Sequence, residues 1–434
     1  MDIFSPKGRF SRRSFIKTTA QVGAVLSFPT IIPSSALARQ GRIGPNDKIR
    51  IANIGVGGMG RGHISEDTIA VCDVDKNHLS QAVDRAKEKN GGKEVDAYGD
   101  YRRILERKDV DAVVIATPDH WHGIIMVHAC QAGKDIYVEK PACHTLEEGK
   151  AMIDATERYG RVVQVGSQGR STNDAYQACL YVRNDQLGPV KKVTCWHVPN
   201  REGGFDADCD PPPELDWDMW LGPMRYIQYN PLRCHFNFRW FLDYGAGYIR
   251  DRGAHVFSVV LWCMNQDRDT PVEVEAHGTP PKSGGIYDVP TELEITYRFK
   301  DPEWEVVWAQ PGDRGGDWDF GMIFHGEKDK LVVMGGDGGC KAEEKALQYT
   351  PPASGVKVFK SPGHKENWYD CIRTREKPLM DIVAGVRVSQ MCIIGNLAYI
   401  LGRKLSWDPV AQQFIGDEEA NRYIKAPGRG QYHL

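Results

Sequence analysis

Residues 46–166 alternate short apolar runs with longer amphipathic stretches. The runs at 68–72 and 111–116 are continuously apolar, which is typical of strands that are covered on both faces of a sheet. Residues 77–89, between them, carry an apolar stripe at helical spacing. Further helices are expected at 100–105, 119–132 and 145–159, and further strands at 135–138 and 161–165. This alternation predicts a parallel, doubly wound sheet.

The pattern changes beyond Gly166, so residues 167–434 are predicted to form a second domain. A long stretch at 199–246 is rich in Pro, Trp, Tyr and Arg and has no regular pattern; loops of that length are uncommon unless they carry function. Helices are expected at 173–184, 247–264, 366–375 and 382–402, and strands at 190–198, 272–278, 293–299, 306–310, 321–324 and 331–334. We expect an α/β domain with a large open, mainly antiparallel sheet and helices on one side. Packing of the C-terminal helices back onto the first domain is left open.

The N-terminus is interpreted separately from the fold. The run Ser11-Arg12-Arg13-Ser14-Phe15-Ile16-Lys17 resembles a twin-arginine export signal, and an apolar stretch and a small-residue Ala36-Leu37-Ala38 pattern follow it. Residues 1–38 are therefore predicted to be a twin-arginine signal peptide, which implies a periplasmic or envelope-associated protein. A basic N-terminal tail is the alternative. We expect no other segment to approach the length of a transmembrane helix.

The net charge and the cysteine spacing limit the classes of binding partner that are expected. The net charge of −3 gives no indication of nucleic acid or an anionic membrane surface, so neither is expected beyond the export step itself. The 11 cysteines are scattered, without C-x-x-C spacing, and the His and Cys residues form no zinc framework. A disulfide between Cys209 and Cys234, both in the loop-rich stretch, is left open.

A glycine turn follows the first predicted strand, at Gly55, Gly57 and Gly60. In a strand–turn–helix setting Gly55 allows the tight turn, Gly57 lets the backbone approach a pyrophosphate, and Gly60 lets the helix pack against the strand. The next apolar run ends in Asp73, about 20 residues downstream, where a dinucleotide-binding unit places its acceptor for a ribose 2′-hydroxyl. The sequence therefore predicts a dinucleotide site. The alternative is an ordinary turn with Asp73 as a solvated cap.

Two further predicted strands end in polar residues, and ligands of parallel sheets bind at such carboxyl ends. One end reads Thr117-Pro118-Asp119-His120-Trp121-His122, and the other reads Glu139-Lys140-Pro141. Beside a nicotinamide, the ammonium group of Lys140 is suited to polarise a substrate hydroxyl or to relay its proton. A simple surface charge is the alternative interpretation.

The predicted helix at 247–264 adds another candidate pair. Asp251 and His255 are four residues apart, so they share one helical face. A histidine titrates near neutral pH, which suits it to take a hydroxyl proton during hydride removal. The spacing also fits a metal face or a helix-surface pair. Because no convincing third ligand is evident, no metal is predicted.

Taken together, these features resemble the glucose–fructose oxidoreductase/inositol dehydrogenase (Gfo/Idh/MocA) family. The matching features are the glycine turn, the strand end Cys72-Asp73-Val74-Asp75, Thr117-Pro118 followed by His122, Glu139-Lys140-Pro141, and the run from Asp243 to His255. The resemblance extends from about Lys48 to Pro409, and the E-K-P and D-x-x-x-H motifs are specific in combination. It implies an NAD(P)-binding Rossmann domain at 46–166 and a substrate and oligomerisation domain at 167–434.

The resemblance also implies residue roles. His255 takes the position of the general base on the substrate hydroxyl, Lys140 bridges that hydroxyl and the nicotinamide ribose, and Asp251 orients substrate or base. The implied cofactor-binding residues are Gly55, Gly57, Met59, Gly60, Asp73, Thr117, Pro118, His122, Glu139, Lys140 and Gln168. NAD is favoured over NADP, because a carboxylate at Asp73 repels a 2′-phosphate.

The substrate implied by the resemblance is a sugar, polyol or glycoside. Arg239 and Tyr244 are assigned to it, and aromatic faces with charged hydrogen-bond donors in the 199–246 stretch suit a sugar; a packed loop without contact to substrate is the alternative. Candidates in that stretch also include Trp217, Trp220, Tyr226 and Arg233. Family members often associate through the second-domain sheet, so a homo-oligomer is expected.

Export and the cofactor constrain each other. The twin-arginine route carries folded proteins, so a cofactor can be loaded inside and retained, which favours a tightly bound, recycled NAD. The first hypothesis is therefore an NAD-dependent oxidoreductase acting on a secondary hydroxyl. The second is a redox-neutral, NAD-dependent glycoside hydrolase, although such relatives differ from this chain at the lysine motif. The third is a non-catalytic sugar- or nucleotide-binding protein on the same fold.

Overall fold

The computed structural model describes residues 48–282, 284–335, 339–425 and 427–434. The predicted signal peptide at 1–38 lies outside these residues. The apolar run at 111–116 forms strand β4 (Ala112–Ile115), whose side chains are all buried, as expected for a strand that is covered on both faces.

The first domain is a six-stranded parallel sheet in the order β3-β2-β1-β4-β5-β6. Its elements are β1 (Ile51–Ile54), α1 (Gly58–Gly62), β2 (Thr68–Cys72), α2 (Lys76–Lys89), β3 (Asp96–Tyr98), α3 (Tyr101–Leu105), β4, α4 (Asp119–Gln131), β5 (Asp135–Glu139), α5 (Leu146–Tyr159) and β6 (Val163–Gly166). The predicted doubly wound sheet is confirmed. Strand β3 was not predicted, because this short edge strand lacks an apolar pattern and is largely exposed.

The second domain is built on a nine-stranded sheet in the order β13-β12-β11-β7-β10-β9-β8-β14-β15. Strands β7 and β10 pair in parallel, and the other strand pairs described in this sheet are antiparallel, so the prediction of a mainly antiparallel sheet is confirmed. The strands are β7 (Val190–Trp196), β8 (Glu273–Thr279), β9 (Glu292–Phe299), β10 (Trp304–Gln310), β11 (Gly321–Gly326), β12 (Lys330–Gly335), β13 (Cys340–Ala342), β14 (Leu405–Asp408) and β15 (Gln413–Phe414).

The second domain also contains α-helices, two of which pack against the first domain. The helices of this domain are α6 (Asn173–Arg183), α7 (Trp217–Leu221), α8 (Tyr248–Asp251), α9 (Gly253–Cys263), α10 (Glu344–Leu347), α11 (His364–Thr374), α12 (Ile382–Leu401) and α13 (Glu418–Arg422). Helix α12 packs against α5 and β6 of the first domain and against α9 and β8 of the second, while α11 packs against β6. One apolar core therefore continues through both domains.

Helix α12 also corrects an expectation about membrane-length segments. Ile382–Leu401 has the length and hydropathy of a helix that could cross a membrane, so the statement that no other segment approaches such a length is wrong. However, 83% of that apolar window is buried inside the protein. This burial is that of a core helix, and it follows from the contacts of α12 with both domains.

Two local expectations differ from the structure. The helix predicted at 247–264 is interrupted at Arg252, because the amide of His255 donates to the carbonyl of Arg252 (3.0 Å) rather than to that of Asp251. The disulfide left open between Cys209 and Cys234 is absent, since all 11 cysteines, which lie within the described ranges, are free.

Candidate functional site

The glycine turn between β1 and α1 has the geometry that its sequence predicts. Gly55 has φ +77°, and a Cβ there would lie 2.6 Å from the Thr117 amide nitrogen. A Cβ on Gly60 would lie 1.8 Å from the carbonyl oxygen of Gly55, so only glycine lets the helix approach the turn. A Cβ on Gly58 would meet nothing within 4 Å, so the backbone of the turn faces open space.

That open space is a cavity of about 300 Å³. Its walls are the carboxyl ends of β1, β2, β4 and β5 on one side, and Met219, Trp220 and residues 235–239 of the second domain on the other. The hydroxyl oxygen of Thr117, which lines the cavity, is buried and has no hydrogen-bond partner within the part of the chain that the structure describes. A bare glycine backbone beside an unsatisfied donor–acceptor fits a dinucleotide.

Asp73 lies at one end of this cavity, which we call the Asp73 end. Its carboxylate accepts the amides of Val56 (2.7 Å) and Asp75 (2.9 Å), so it also holds the glycine turn against β2. His78 Nδ1 lies 3.8 Å from Asp73 Oδ2, and the Asp73 carboxylate raises the pKa of the imidazole against the effect of burial. Carboxylate oxygens have about four acceptor positions, so ribose hydroxyls can still be bound.

A second histidine reaches the Asp73 end from the other domain. His235 Nε2 lies 3.0 Å from Asp75 Oδ2, and its ring packs on that of His78 with centroids 4.2 Å apart. Burial and the neighbouring His78 lower the pKa of His235. Asp75, His78 and His235 are metal-ligating types whose ligand atoms lie within 4.8 Å of one another. The sequence pointed only to Asp251 and His255 as a metal face, because His235 is 157 residues from His78 along the chain.

Lys140 and Asp251 meet at the opposite end of the cavity, which we call the Lys140 end. Lys140 follows β5 and Asp251 ends α8, and Lys140 Nζ lies 2.6 Å from Asp251 Oδ1. The ammonium also donates to the main-chain oxygen of Asp251 (3.0 Å), which is not used by the amide of His255. The break at Arg252 thus supplies a second acceptor to the lysine.

The Asp251 carboxylate is surrounded by cations. Arg239 Nε lies 3.2 Å and Arg252 Nε 3.6 Å from its Oδ2. Burial by itself raises the pKa of this carboxyl, but the charges of Lys140, Arg239 and Arg252 outweigh it and hold the pKa well below its ordinary value. Asp251 is therefore ionised at neutral pH and is suited to orient groups rather than to exchange protons.

His255 lies one helical turn beyond Asp251 and is fully buried. Burial lowers the pKa of its imidazole well below the ordinary 6.5, and the charge of Lys140 lowers it further, against the opposing effects of Glu139 and Asp251. The ring is therefore neutral at physiological pH, as a general base must be. His255 is not among the residues that line the cavity, whereas Lys140 and Asp251 are.

Glu139 lines the cavity and anchors the start of the lysine motif. Its carboxylate contacts His63 Nε2 (2.8 Å) and accepts from Gln168 Nε2 (2.8 Å). Burial opposes ionisation, but His63 and the charge of Lys140 lower the pKa of Glu139 to about 2. Gln168, predicted as a cofactor ligand, thus contacts the first domain's own carboxylate and does not line the cavity.

Of the remaining residues predicted for the site, some line the cavity and others do not. Met59, Pro118 and Arg239 line the cavity, whereas Gly60 and Tyr244 do not. His122 joins the exits of β4 and β5, since its ring nitrogens lie 2.9 Å from the Thr117 carbonyl oxygen and 2.7 Å from that of Pro141. Tyr244 is buried against His120 and Trp220, which raises its pKa to about 12.

Asp119 also lines the cavity, although the sequence predicted no role for it. It is buried at the start of α4, and burial raises the pKa of its carboxyl despite nearby cationic groups. His63, His78 and His235 were also missed. No local pattern marks His63 or His235, because the partner of His63 lies on another strand and that of His235 lies in the other domain.

Two family models match the chain. Residues 49–167 match the model described as "Oxidoreductase family, NAD-binding Rossmann fold", and residues 206–434 match the "Oxidoreductase family, C-terminal alpha/beta domain". The chain belongs to the Gfo/Idh/MocA oxidoreductase family. The predicted family is confirmed, and so is NAD as the cofactor of the first domain.

The relative and the two solved structures described next share 28% or less of their sequence with this chain. A "Glycosyl hydrolase family 109 protein" of Shewanella pealeana is 28% identical over 171 residues, which are 35% of this chain and 38% of that protein. The match thus spans less than half of the relative. The aldose–aldose oxidoreductase of Caulobacter crescentus, complexed with glycerol, is similar in fold (20% identity, 83% of this chain and 99% of that chain, TM-score 0.55). So is the WlbA dehydrogenase of Bordetella pertussis, complexed with NADH and UDP-GlcNAcA (18%, 83% and 99%, TM-score 0.58).

Proposed function

We propose that this family member oxidises a secondary hydroxyl of a sugar, polyol or glycoside, with NAD as the hydride acceptor. The observation that carries the proposal is the buried ion pair between Lys140 and Asp251 (2.6 Å), which joins the two domains at the end of the dinucleotide cavity. Bound NAD supplies the acceptor for a hydride and returns it when reduced. The chain's own residues supply the remaining chemistry.

Proton movement is assigned to Lys140 and His255. Lys140 donates two of its hydrogens to Asp251, so the third is available to a substrate oxygen. His255 is neutral, because burial and Lys140 lower its pKa. It accepts the proton of the substrate hydroxyl while a hydride leaves the carbon that bears this hydroxyl. Asp251 holds the ammonium in place, and the low pKa of its carboxyl keeps it from taking the proton itself.

The substrate class is supported by the second-domain wall of the cavity. The guanidinium of Arg239 lies over the rings of Phe236 (4.2 Å) and Phe238 (4.8 Å) and beside Asp251. Flat aromatic faces next to charged donors suit a polyhydroxy compound. The two solved structures cited above carry glycerol and a nucleotide sugar, respectively.

A panel of monosaccharides, polyols and glycans tests the activity. Reduced cofactor is followed by absorbance and products by chromatography, with Lys140→Ala and His255→Ala as the site variants. We expect turnover of at least one sugar, and a loss of at least about 100-fold in each variant. Unchanged turnover in either variant removes that residue's role, and sugar binding without turnover favours the non-catalytic alternative.

A redox-neutral glycoside hydrolase is the second candidate, favoured by the likeness to a protein named for glycosyl hydrolase family 109. In this reaction oxidation of a ring hydroxyl acidifies the neighbouring carbon, elimination expels the aglycone, water adds, and the hydride returns. Nitrophenyl glycosides discriminate between the candidates. Phenolate release without net NADH supports the hydrolase, and NADH accumulation supports the oxidoreductase.

Export with a retained cofactor is part of the proposal. The twin-arginine pattern at Arg12 and Arg13 supports a periplasmic or envelope-associated protein. Cell fractionation of the natural chain and of the double variant Arg12→Lys/Arg13→Lys tests it, and equal distributions count against export. Stoichiometric NAD after extensive dialysis supports retention, whereas cofactor-free protein contradicts it.

We also propose that the second-domain sheet joins copies of the chain. Trp304, Val306 and Trp308 of β10 face the buried core, so the alternate positions Glu305 and Val307 are presented on the opposite face of the sheet. Both of these β10 side chains are partly exposed, and a partly exposed sheet face suits self-association. Light scattering after gel filtration measures the state, and a monomer at working concentration contradicts the proposal.

A further inference from the structure

A segment of the second domain crosses the dinucleotide cavity and is attached at both sides. We call residues 213–222 the roof segment. On the β2 side, the amide of Lys76 donates to the Glu214 carbonyl (3.0 Å) and the amide of Asp216 donates to the Val74 carbonyl (3.0 Å). These bonds form a short antiparallel bridge between the loop after β2 and the roof segment.

The other attachment is on the β4 side. Trp121 Nε1 donates to the carbonyl of Met219 (3.0 Å), and His120 Nε2 donates to that of Trp220 (2.8 Å). Both donors lie in the first turn of α4, directly after β4. The sheet order places β1 between β2 and β4, so the roof segment spans the strand end that carries the glycine turn.

The roof segment also contributes to the cavity itself. Met219 and Trp220 line it opposite the glycine turn, and Trp217 stacks on Trp220 with ring centroids 4.8 Å apart. All three side chains are buried. A dinucleotide bound along the turn is therefore covered by protein on the side opposite the sheet.

The C-terminal residues hold the roof segment from outside. Arg429 Nε donates to the carbonyls of Gly222 (3.0 Å) and Met224 (2.9 Å), and its Nη2 donates to that of Asp218 (2.8 Å). Its Nη1 pairs with the Asp218 carboxylate. One guanidinium thus binds three main-chain carbonyls at and just beyond the end of α7, of which that of Asp218 also accepts the amide of Gly222 (3.0 Å).

Tyr432 ties this contact to the first domain. Its ring packs against that of Trp121 with centroids 5.4 Å apart. Its amide donates to the carbonyl of Arg429, whose own amide donates to the carbonyl of Tyr432. Trp121 is also a donor to the roof segment. Residues 429–432 therefore contact both the roof segment and the helix to which it is attached.

We propose that residues 429–432 form a clasp that keeps the roof segment closed over NAD, so that Arg429 controls how fast the cofactor dissociates. Arg429 does not line the cavity, so it is a positioning residue. The inference deepens the proposed retention of the cofactor and rests on it. It accounts for retention by contacts that lie more than 300 residues from the glycine turn in sequence, between positions 55 and 429.

The test measures the dissociation rate of NADH from the full chain. Protein loaded with NADH is mixed with excess NAD, and the decay of cofactor fluorescence is followed for the wild type, Arg429→Ala and Arg429→Lys. We expect dissociation to be at least about tenfold faster in Arg429→Ala and intermediate in Arg429→Lys, because lysine keeps the charge but not the guanidinium fork. Circular dichroism verifies that each variant is folded.

Arg403→Ala is the matched control. Arg403 is also near the C-terminus and pairs with two carboxylates, those of Asp417 (2.9 Å) and Glu419 (2.8 Å); it also donates to the carbonyl of Leu401, and these partners lie outside the roof segment. A wild-type rate in Arg429→Ala, or an equal acceleration in Arg403→Ala, overturns the clasp. The retention proposal is judged separately, by the NAD content of the purified wild type, so either proposal can fail alone.

Discussion

The two ends of the dinucleotide cavity solve different electrostatic problems. At the Lys140 end, the charges of Lys140 and Asp251 are both buried and lie 2.6 Å apart. At the Asp73 end, His78 and His235 are partly exposed, and their nearest carboxylates lie 3.8 and 3.0 Å away. At the Lys140 end the pKa of Asp251 is held well below its ordinary value, whereas the Asp73 end carries histidines, whose ordinary pKa is near neutral.

This difference separates chemistry from binding. Burying an ion pair costs desolvation free energy, which only close contacts offset. Such a pair is therefore expected where a fixed charge must face a reacting group. The partly exposed histidines interact more weakly, because solvent screens their charges. We therefore expect substitutions at the Lys140 end to change rates and those at the Asp73 end to change affinity or its dependence on pH.

The largest expected effect is that of Lys140→Ala. It removes the group that contacts the substrate oxygen, so kcat/KM falls by about 10²- to 10⁴-fold. Asp251 keeps Arg239 and Arg252 as partners, so the fold is retained. Steady-state kinetics and NADH fluorescence titration measure the two quantities. The contrast between the ends breaks if affinity for NADH falls as much as the rate.

The next effect concerns the pH profile. Burial and Lys140 lower the pKa of His255 well below 6.5. A base acts when deprotonated, so activity is lost only as the pH falls through this lowered pKa, and the acid limb of kcat/KM lies below pH 6.5. His255→Gln reduces kcat/KM by at least about 100-fold and removes the limb. A wild-type limb at or above pH 6.5 that disappears in the variant would contradict this assignment.

An intermediate effect is expected from Asp73→Asn. The Val56 and Asp75 amides donate to different oxygens of Asp73, so the asparagine oxygen can accept from only one of them, and the substitution also removes the charge that repels a 2′-phosphate. We expect the ratio of NADPH to NADH dissociation constants to shift toward NADPH by about tenfold, with kcat for the bound cofactor little changed. A large loss of kcat with an unchanged ratio would assign Asp73 to the wrong side of the comparison.

The smallest effect is that of His78→Asn on stability. The Asp73 carboxylate raises the pKa of His78, so this contribution to stability is present below pH 6.5 and is lost as the pH rises through the raised pKa. The variant should therefore lose less stability than the wild type between about pH 6 and 8, measured as urea midpoints. His277→Asn is the control, since that side chain is 77% exposed. Parallel pH curves for wild type and His78→Asn would show that the pair is not coupled.

Local patterns predicted much of the fold. Continuous apolar runs and the glycine turn each depend on neighbours in sequence, and the structure has both. Short strands such as β13 and β15 were missed, because their pairing partners rather than their own residues define them. The break at Arg252 was also missed, because it depends on a tertiary contact. The main-chain oxygen of Asp251 accepts from Lys140 instead of from the amide of His255.

The site was predictable only where a motif marks it. Lys140 and Asp251 carry such motifs, and their meeting across domains agrees with the resemblance. The partners His63 and Gln168 of Glu139, by contrast, depend on tertiary contacts. So do His235 and the attachments of the roof segment, which join positions about 100 residues apart or more.

The main-chain oxygen of Asp251 has a consequence for mutational scans. Lys140 is bound by this oxygen as well as by the carboxylate, and a backbone atom survives every side-chain replacement at 251. A library at that position therefore reports only part of the coupling between the two halves of the enzyme. Replacing the amide of residue 252 by an ester, which weakens the same carbonyl as an acceptor, would expose the remaining part.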